Sequence, residues 1–322
     1  MHAPKSTFDR RCIPATATET IWNAADGWPI RRVDLPAQTD DPEMPRGSML
    51  FLVGRGDHYE KYLETLDYYA NAGWQVTSID WRGQGDSGRL LADPHVGHID
   101  DFSTWIGDLT AFWTMWKAST PGPHVVVAHS MGGHLVMRAL VERAIDPVAV
   151  AMSAPMLGIQ TGGLPLALNH VFAKLMCAIG RGEHAAWKVS EKPMSPINMR
   201  QKILTHDKDR YEDELAWWQL RPAVKLGPPS WHWVERAIAS IRLIDGPGKL
   251  EGVQTPILLL ATTADQLVST PRIVEDSERL PHAETLIFGE EAAHELLREA
   301  DCVRDQCLDR IGVFMEKHAP KP

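Results

Sequence analysis

Residues 125–135 read VVVAHSMGGHL, and the fold turns on how this stretch is taken. Three β-branched valines favour an extended strand, while GGHLVMRALVERA, which follows, has the apolar periodicity of a helix. Between the two stands Ser130, with Ala128 two residues before it and Gly132 two after. A strand that hands over directly to a helix must turn sharply at Ser130, which strains the backbone there and crowds its neighbours. Small residues at 128 and 132 relieve that crowding. The turn leaves the hydroxyl exposed at the carboxyl end of the strand, where open α/β sheets bind ligands. The helix starting there points backbone N–H groups at the same spot, ready for an oxyanion. Alone, a small-x-Ser-x-Gly pattern arises by chance about 0.2 times in such a chain; the strand before it and the helix after it supply the specificity.

Outward from this turn the chain alternates short apolar runs with longer helical ones. Ile21-Trp22, Asp26-Gly27 and Trp28 to Val33 read as an early hairpin with a DG turn. SMLFLVG predicts a strand, followed by a helix from Tyr59 to Ala72; QVTSID predicts the next strand, followed by the glycine-rich loop WRGQGDSGR. A helix is expected from about Ile99 to Ala118, then the strand HVVVAHS, the helix after Ser130 and the strand PVAVAMSAP. PILLLATTAD and ETLIFGE are further strands, and a last amphipathic helix is expected from about Glu295 to His318. Such alternation implies a mostly parallel sheet covered on both faces. From about Met156 to Val253 the rhythm breaks: the interval has no convincing strand and is rich in Trp, Pro and His. It reads as a helical cap (158–250) inserted into an α/β core (1–157 and 251–322). Within it Leu164, Leu168, Val171, Leu175 and Ala178 form an apolar stripe at helical spacing. The stripe is open to three readings: an acyl channel, a membrane-facing surface, or packing onto the core.

Composition narrows the class. The 322 residues are 44% hydrophobic and 23% charged, with net charge −9 and no basic run, so nucleic acid is not an expected partner. Cys12, Cys177, Cys302 and Cys307 lack metal-site spacing and are expected as reduced, mostly buried thiols. No apolar signal-peptide region and no run of about 18 apolar residues is present, so a cytoplasmic protein is expected, touching membrane at most through its surface. Twelve tryptophans, several in two clusters, are expected mainly in the core.

A serine hydroxyl needs a base to take its proton and an acid to orient that base. After a strand–serine–helix turn the chain order is serine, acid, histidine. Asp265 is expected at the end of the strand PILLLATTAD, at a carboxyl edge, and His294 follows the last strand in the loop GEEAAH. Of fourteen histidines, His129 adjoins the serine but should point away from it, and His282 lies at the wrong edge. Asp276 falls inside a predicted helix and Asp245 inside the cap. A second oxyanion donor is expected from the loop Val53-Gly54-Arg55-Gly56-Asp57-His58, which puts the backbone N–H groups of Arg55 and Met131 in that role. The Arg55 side chain has two readings, a contact to a lipid phosphate or an ion pair with Asp57 or Glu60.

With these residues in place, the chain resembles the α/β-hydrolase superfamily, and within it the bacterial lysophospholipase and monoacylglycerol lipase branch. GRGDHYEKY, IDWRGQGDSGRLLADPHVGHIDDF, VVVAHSMGG, ATTADQLV and EEAAHELLREAD carry the likeness, which covers roughly residues 20–157 and 251–318. It departs from the branch at Ala128, where a glycine is usual, and at Val53-Gly54, where His-Gly is often found. The resemblance implies a Ser130–Asp265–His294 triad, oxyanion donors at Arg55 and Met131, no metal or organic cofactor, and ester hydrolysis of single-chain lipids such as lysophospholipids or monoglycerides. Four other readings stay open: a carboxylesterase for short soluble esters, an acyltransferase (His95 to Asp100 has loose HxxxxD spacing), a peptidase, and a non-catalytic lipid carrier.

Overall fold

The described residues of the computed structural model are 8–39, 45–160, 163, 165–187 and 197–321. Eight strands form one sheet: β1 (Thr18–Asn23), β2 (Pro29–Leu35), β3 (Gly47–Leu52), β4 (Trp74–Ile79), β5 (His124–His129), β6 (Ala149–Ser153), β7 (Ile257–Thr262) and β8 (Ala283–Phe288). Their order across the sheet is β1-β2-β4-β3-β5-β6-β7-β8. β1 and β2 are the expected hairpin, with Gly27 at φ 83°, where glycine carries no Cβ penalty. β2 runs antiparallel to β4, and every pairing from β4 to β8 is parallel. β3, β6 and β7 are buried along their whole length. This is why they read as unbroken apolar runs rather than alternating ones.

Helices cover both faces. α1 (Leu63–Asn71) and α9 (Asp301–His318) share one side, joined by Arg304, whose Nη2 donates to the Glu64 carbonyl at 3.4 Å. α2 (Phe102–Ser119) and α3 (Met131–Val141) pack together on the other, and α8 (Thr270–Arg279) lies against β7 and β8. Tryptophans fill the α2 layer as expected and keep their polar tips satisfied. Trp105 Nε1 donates to the Arg82 carbonyl at 3.0 Å, and Trp116 Nε1 to Thr77 Oγ1 at 2.9 Å.

Between β6 and β7 the described chain is helical: α4 (Leu166–Met176), a π turn (Cys177–Arg181), α5 (Ile197–Leu204), α6 (Lys208–Leu220) and α7 (Trp231–Ile244). α4 packs on α7, which rests on α2 and α3. Here the apolar stripe corrects two of its three readings. Leu168 (57%), Val171 (64%) and Leu175 (54%) are exposed, as are Phe172 and Ile179 beside them. α4 docks instead through buried His170 and Ala173, with His170 Nε2 2.9 Å from Glu235 on α7. The stripe therefore neither packs on the core nor lines a channel; Leu164 lies outside the described residues.

Smaller corrections follow from local geometry. β7 stops at Thr262, three residues short of Asp265, and α9 starts at Asp301 rather than Glu295. The stretch between holds a single 3-10 turn (Leu296–Arg298). α2 starts at Phe102 because Asp101 caps it, accepting the Ser103 N–H. Of the four cysteines only Cys307 is buried; Cys12 and Cys302 are exposed.

Candidate active site

Ser130 sits between β5 and α3 at φ 50° and ψ −117°, a conformation that non-glycine residues rarely hold. Bonds on both sides hold it there: its N–H donates to the Ser153 carbonyl at 2.9 Å, and its carbonyl accepts from Met156 at 3.0 Å and His134 at 3.1 Å. The turn explains its glycines. A Cβ on Gly132 would lie 2.5 Å from the Leu52 and Val53 carbonyl oxygens, and one on Gly54 would lie 3.1 Å from the Ser130 Cβ.

His294 Nε2 is 3.0 Å from Ser130 Oγ, and its Nδ1 is 2.7 Å from Asp265 Oδ2. The carboxylate can only accept, so Nδ1 carries the proton and Nε2 is the acceptor facing the hydroxyl. Asp265 Oδ1 accepts from the backbone N–H groups of Leu267 (2.8 Å) and Val268 (2.9 Å), which orients the carboxylate. Burial favours its neutral form, yet His294 and these amides outweigh that and hold the carboxyl below 3.8. Burial likewise disfavours the imidazolium, but Asp265, with Glu295 and Asp57 behind it, holds His294 above 6.5.

Met131 is the first residue of α3, directly after Ser130, so its N–H lacks an intrahelical acceptor. Arg55 lies in the loop after β3, between two amides already committed to side chains. Gly54 N–H donates to Asp57 Oδ2 at 3.1 Å, and Gly56 N–H to Gln84 Oε1 at 2.6 Å. The Arg55 guanidinium pairs with neither Asp57 nor Glu60: its Nη1 donates to the Gly227 carbonyl at 2.9 Å, and it lies over the Trp233 ring at 5.5 Å.

The contacts of three residues here escaped the sequence reading. Gln84, from the glycine-rich loop, and Asp57 brace the Arg55 loop from either side; only the Asp57-x-x-x-Lys61 spacing hinted at a structural pair. His129 points away from the serine hydroxyl, but its ring packs 4.9 Å from that of His294. Its Nδ1 meets the Ser153 carbonyl at 3.1 Å. Burial, then the neighbouring His294, pushes its pKa down to about 4, so it stays a neutral spacer. His95 and Asp100, of the loose acyltransferase spacing, are both exposed. Among the described residues no three His, Cys, Asp or Glu side chains group as metal ligands, and no helix is long and apolar enough to cross a membrane. A cavity of about 440 Å³ between α1 and α9, lined by Asp67, Arg304, Asp305 and Asp309, contains none of Ser130, His294, Asp265, Arg55 and Met131.

A serine in a strained strand–helix turn, on a mostly parallel eight-stranded sheet and in line with a histidine and an acid, defines an α/β hydrolase. Residues 43–301 match the family described as serine aminopeptidase, S33, and the chain belongs to that family. Lysophospholipase L2 of Escherichia coli is 32% identical over 320 residues, spanning 93% of this chain and 88% of that protein. A monoacylglycerol lipase of Mycolicibacterium smegmatis is 28% identical over 152 residues, 46% of this chain and 52% of that protein. Among solved structures, a soluble variant of the monoglyceride lipase of Saccharomyces cerevisiae, in complex with a substrate analog, superposes with a TM-score of 0.73. The match covers 98% of this chain and 100% of that one at 16% identity.

Proposed function

We propose that this hydrolase cleaves the carboxylic esters of monoacyl lipids, lysophospholipids or monoglycerides, through an acyl-enzyme on Ser130. The observation that carries the reading is the unbroken line from Ser130 Oγ through His294 to Asp265, at 3.0 and 2.7 Å. Ser130 attacks the ester carbonyl while His294 Nε2 takes the hydroxyl proton, and Asp265 stabilises the imidazolium that forms. Negative charge on the carbonyl oxygen is met by the N–H groups of Arg55 and Met131. His294 returns the proton to the departing alcohol. Water, deprotonated by the same nitrogen, then releases the fatty acid and restores the serine.

Residues 158–250 act as a cap over this site, and the exposed face of α4 is its contact with lipid. Leu168, Val171, Phe172, Leu175 and Ile179 lie outward with the exposed cations Lys174 and Arg181 nearby. Apolar side chains flanked by basic ones suit an anionic membrane surface, where each cation contributes about 1 kcal/mol. A protein whose substrates sit in membranes gains from such peripheral contact. The names of the sequence relatives agree with a lipid substrate, whereas the family's description is that of a peptidase. A peptidase reading needs a carboxylate free to bind the substrate's amine, and around the triad Asp57, Glu295 and Asp265 are all engaged in pairs.

The test is a panel of lysophosphatidylcholine, monooleoylglycerol, p-nitrophenyl esters of rising chain length and aminoacyl p-nitroanilides. Fatty acid release from the two lipids is expected, with kcat/KM at least about tenfold higher for medium-chain than for acetyl p-nitrophenyl esters. Preference for acetyl esters would favour a general carboxylesterase, and cleavage of the anilides alone would favour a peptidase.

A further inference from the structure

Behind the triad lies a buried charge cluster, two of whose carboxylates, Asp57 and Glu295, also support the His294 imidazolium. Lys61 Nζ sits 2.5 Å from Asp57 Oδ1, 2.7 Å from Glu295 Oε1 and 3.1 Å from Glu214 Oε1, and all four side chains are buried. The three carboxylates come from separate parts of the fold. Asp57 closes the Arg55 loop, Glu295 follows His294 directly, and Glu214 belongs to α6 in the insertion. Each carries a second bond. Asp57 Oδ2 accepts from Gly54 N–H and Tyr62 Oη, both at 3.1 Å; Glu295 pairs with Arg298; Glu214 takes Arg200 at 2.7 and 3.1 Å. Three acids thus face three bases, Lys61, Arg200 and Arg298, which keeps the buried charge neutral.

The insertion also meets the histidine loop through backbone. His294 N–H donates to the Ile203 carbonyl at 3.3 Å, Glu295 N–H to the Leu204 carbonyl at 2.8 Å, and Thr205 Oγ1 to the Arg298 carbonyl at 2.8 Å. A buried ion cluster is weak evidence for stability, because apolar residues often replace one without loss. What separates this cluster from a structural one is where its arms end: on the loop carrying the oxyanion donor, on the loop carrying the base, and on the insertion.

We propose that Lys61 and Glu214 are positioning residues for the reaction. The buried ammonium holds the Arg55 loop and the His294 loop in register, and Glu214 makes that register depend on the docked insertion. The inference rests on the acyl-enzyme reading. Losing one arm lets both loops relax by up to about 1 Å, which acts on the chemical step and leaves the surfaces that grip the substrate in place.

The experiment compares the full-length protein with Glu214→Gln and Lys61→Arg, reading kcat and KM on a monoacyl ester and the second-order rate of fluorophosphonate labelling at Ser130. Each variant is expected to lose about 10- to 100-fold in kcat, the scale of a 1 Å misplacement, with KM nearly unchanged and labelling slowed in parallel. Circular dichroism verifies folding at the assay temperature; if Glu214→Gln does not fold, the charge-retaining Lys61→Arg decides on the same two readouts. Wild-type kcat in the folded variants, or a loss entirely in KM, overturns the proposal. A wild-type protein that is not labelled at Ser130 overturns the acyl-enzyme reading instead, so the two failures are distinguishable.

Discussion

At the scale of single residues the site turns on a proton that must be absent from His294 Nε2 and present on Nδ1. Because Asp265, Glu295 and Asp57 hold the imidazole's pKa above 6.5 against the cost of burial, the base becomes protonated on the acid side sooner than an ordinary histidine. The acid limb of kcat/KM is therefore expected to fall through a midpoint above pH 6.5; a midpoint near 5 would contradict the assignment. Glu295→Gln removes one of the charges that support the imidazolium, so it should move that limb to lower pH. Ser130→Ala is expected to lower turnover by about four to six orders of magnitude. The grouping of Ser130, His294 and Asp265 was legible in sequence because Ser130 stands directly after β5 and His294 in the loop after β8. The contacts of Gln84 and His129 were not, because they run between segments far apart in the chain, as where the Gly56 N–H donates to Gln84 Oε1, and no periodicity marks such a pairing.

Among the elements, the serine turn and α4 make separate commitments. Adding one methyl at Gly132 puts it against two backbone carbonyls at 2.5 Å, neither of which can rotate away. Gly132→Ala should cost about 1–3 kcal/mol or more, the range for overpacking, seen as a lower urea midpoint; unchanged stability with full activity would mean the turn is less crowded than described. On α4, the triple change Leu168→Ser, Val171→Ser and Leu175→Ser should weaken sedimentation with anionic vesicles about tenfold or more. Hydrolysis of a short soluble ester should stay the same, and equal vesicle binding would remove α4 as the lipid contact. The helix itself was predictable from its 3–4 spacing, but its orientation was not. An apolar stripe usually marks the buried face, and here His170 and Ala173 took that place because Glu235 on α7 supplies a partner for the imidazole.

For the molecule as a whole, the strand segments and their mostly parallel arrangement were readable because parallel strands buried on both faces are continuous apolar runs, as in Ile257–Thr262, whereas their order across the sheet was not. Much of what joins the insertion to the core was not readable, since it includes buried ion pairs such as Arg210 with Glu64 and Lys61 with Glu214. Those pairs give stability a pH dependence. Against the cost of burial, Lys61, Arg200 and Arg298 depress the carboxyls of Asp57, Glu214 and Glu295, and His58, then Arg31, that of Glu60, below 3.8 or 4.5. The stability they contribute is complete above those values and lost as pH falls through the folded ones. Asp276, raised to about 6 by burial, works the other way as pH rises from 3.8, and so do Asp67 and Asp80, which burial also raises. The urea midpoint should therefore fall below about pH 4.5; a midpoint unchanged in acid would mean the cluster adds nothing. The central claim, that one hydroxyl is made nucleophilic by a distant imidazole, has a direct test. Peptide mapping by mass spectrometry after fluorophosphonate treatment should find a single adduct, on Ser130, in the wild type and none in His294→Ala under the same exposure. An adduct on another residue, or undiminished labelling of Ser130 without His294, would contradict it.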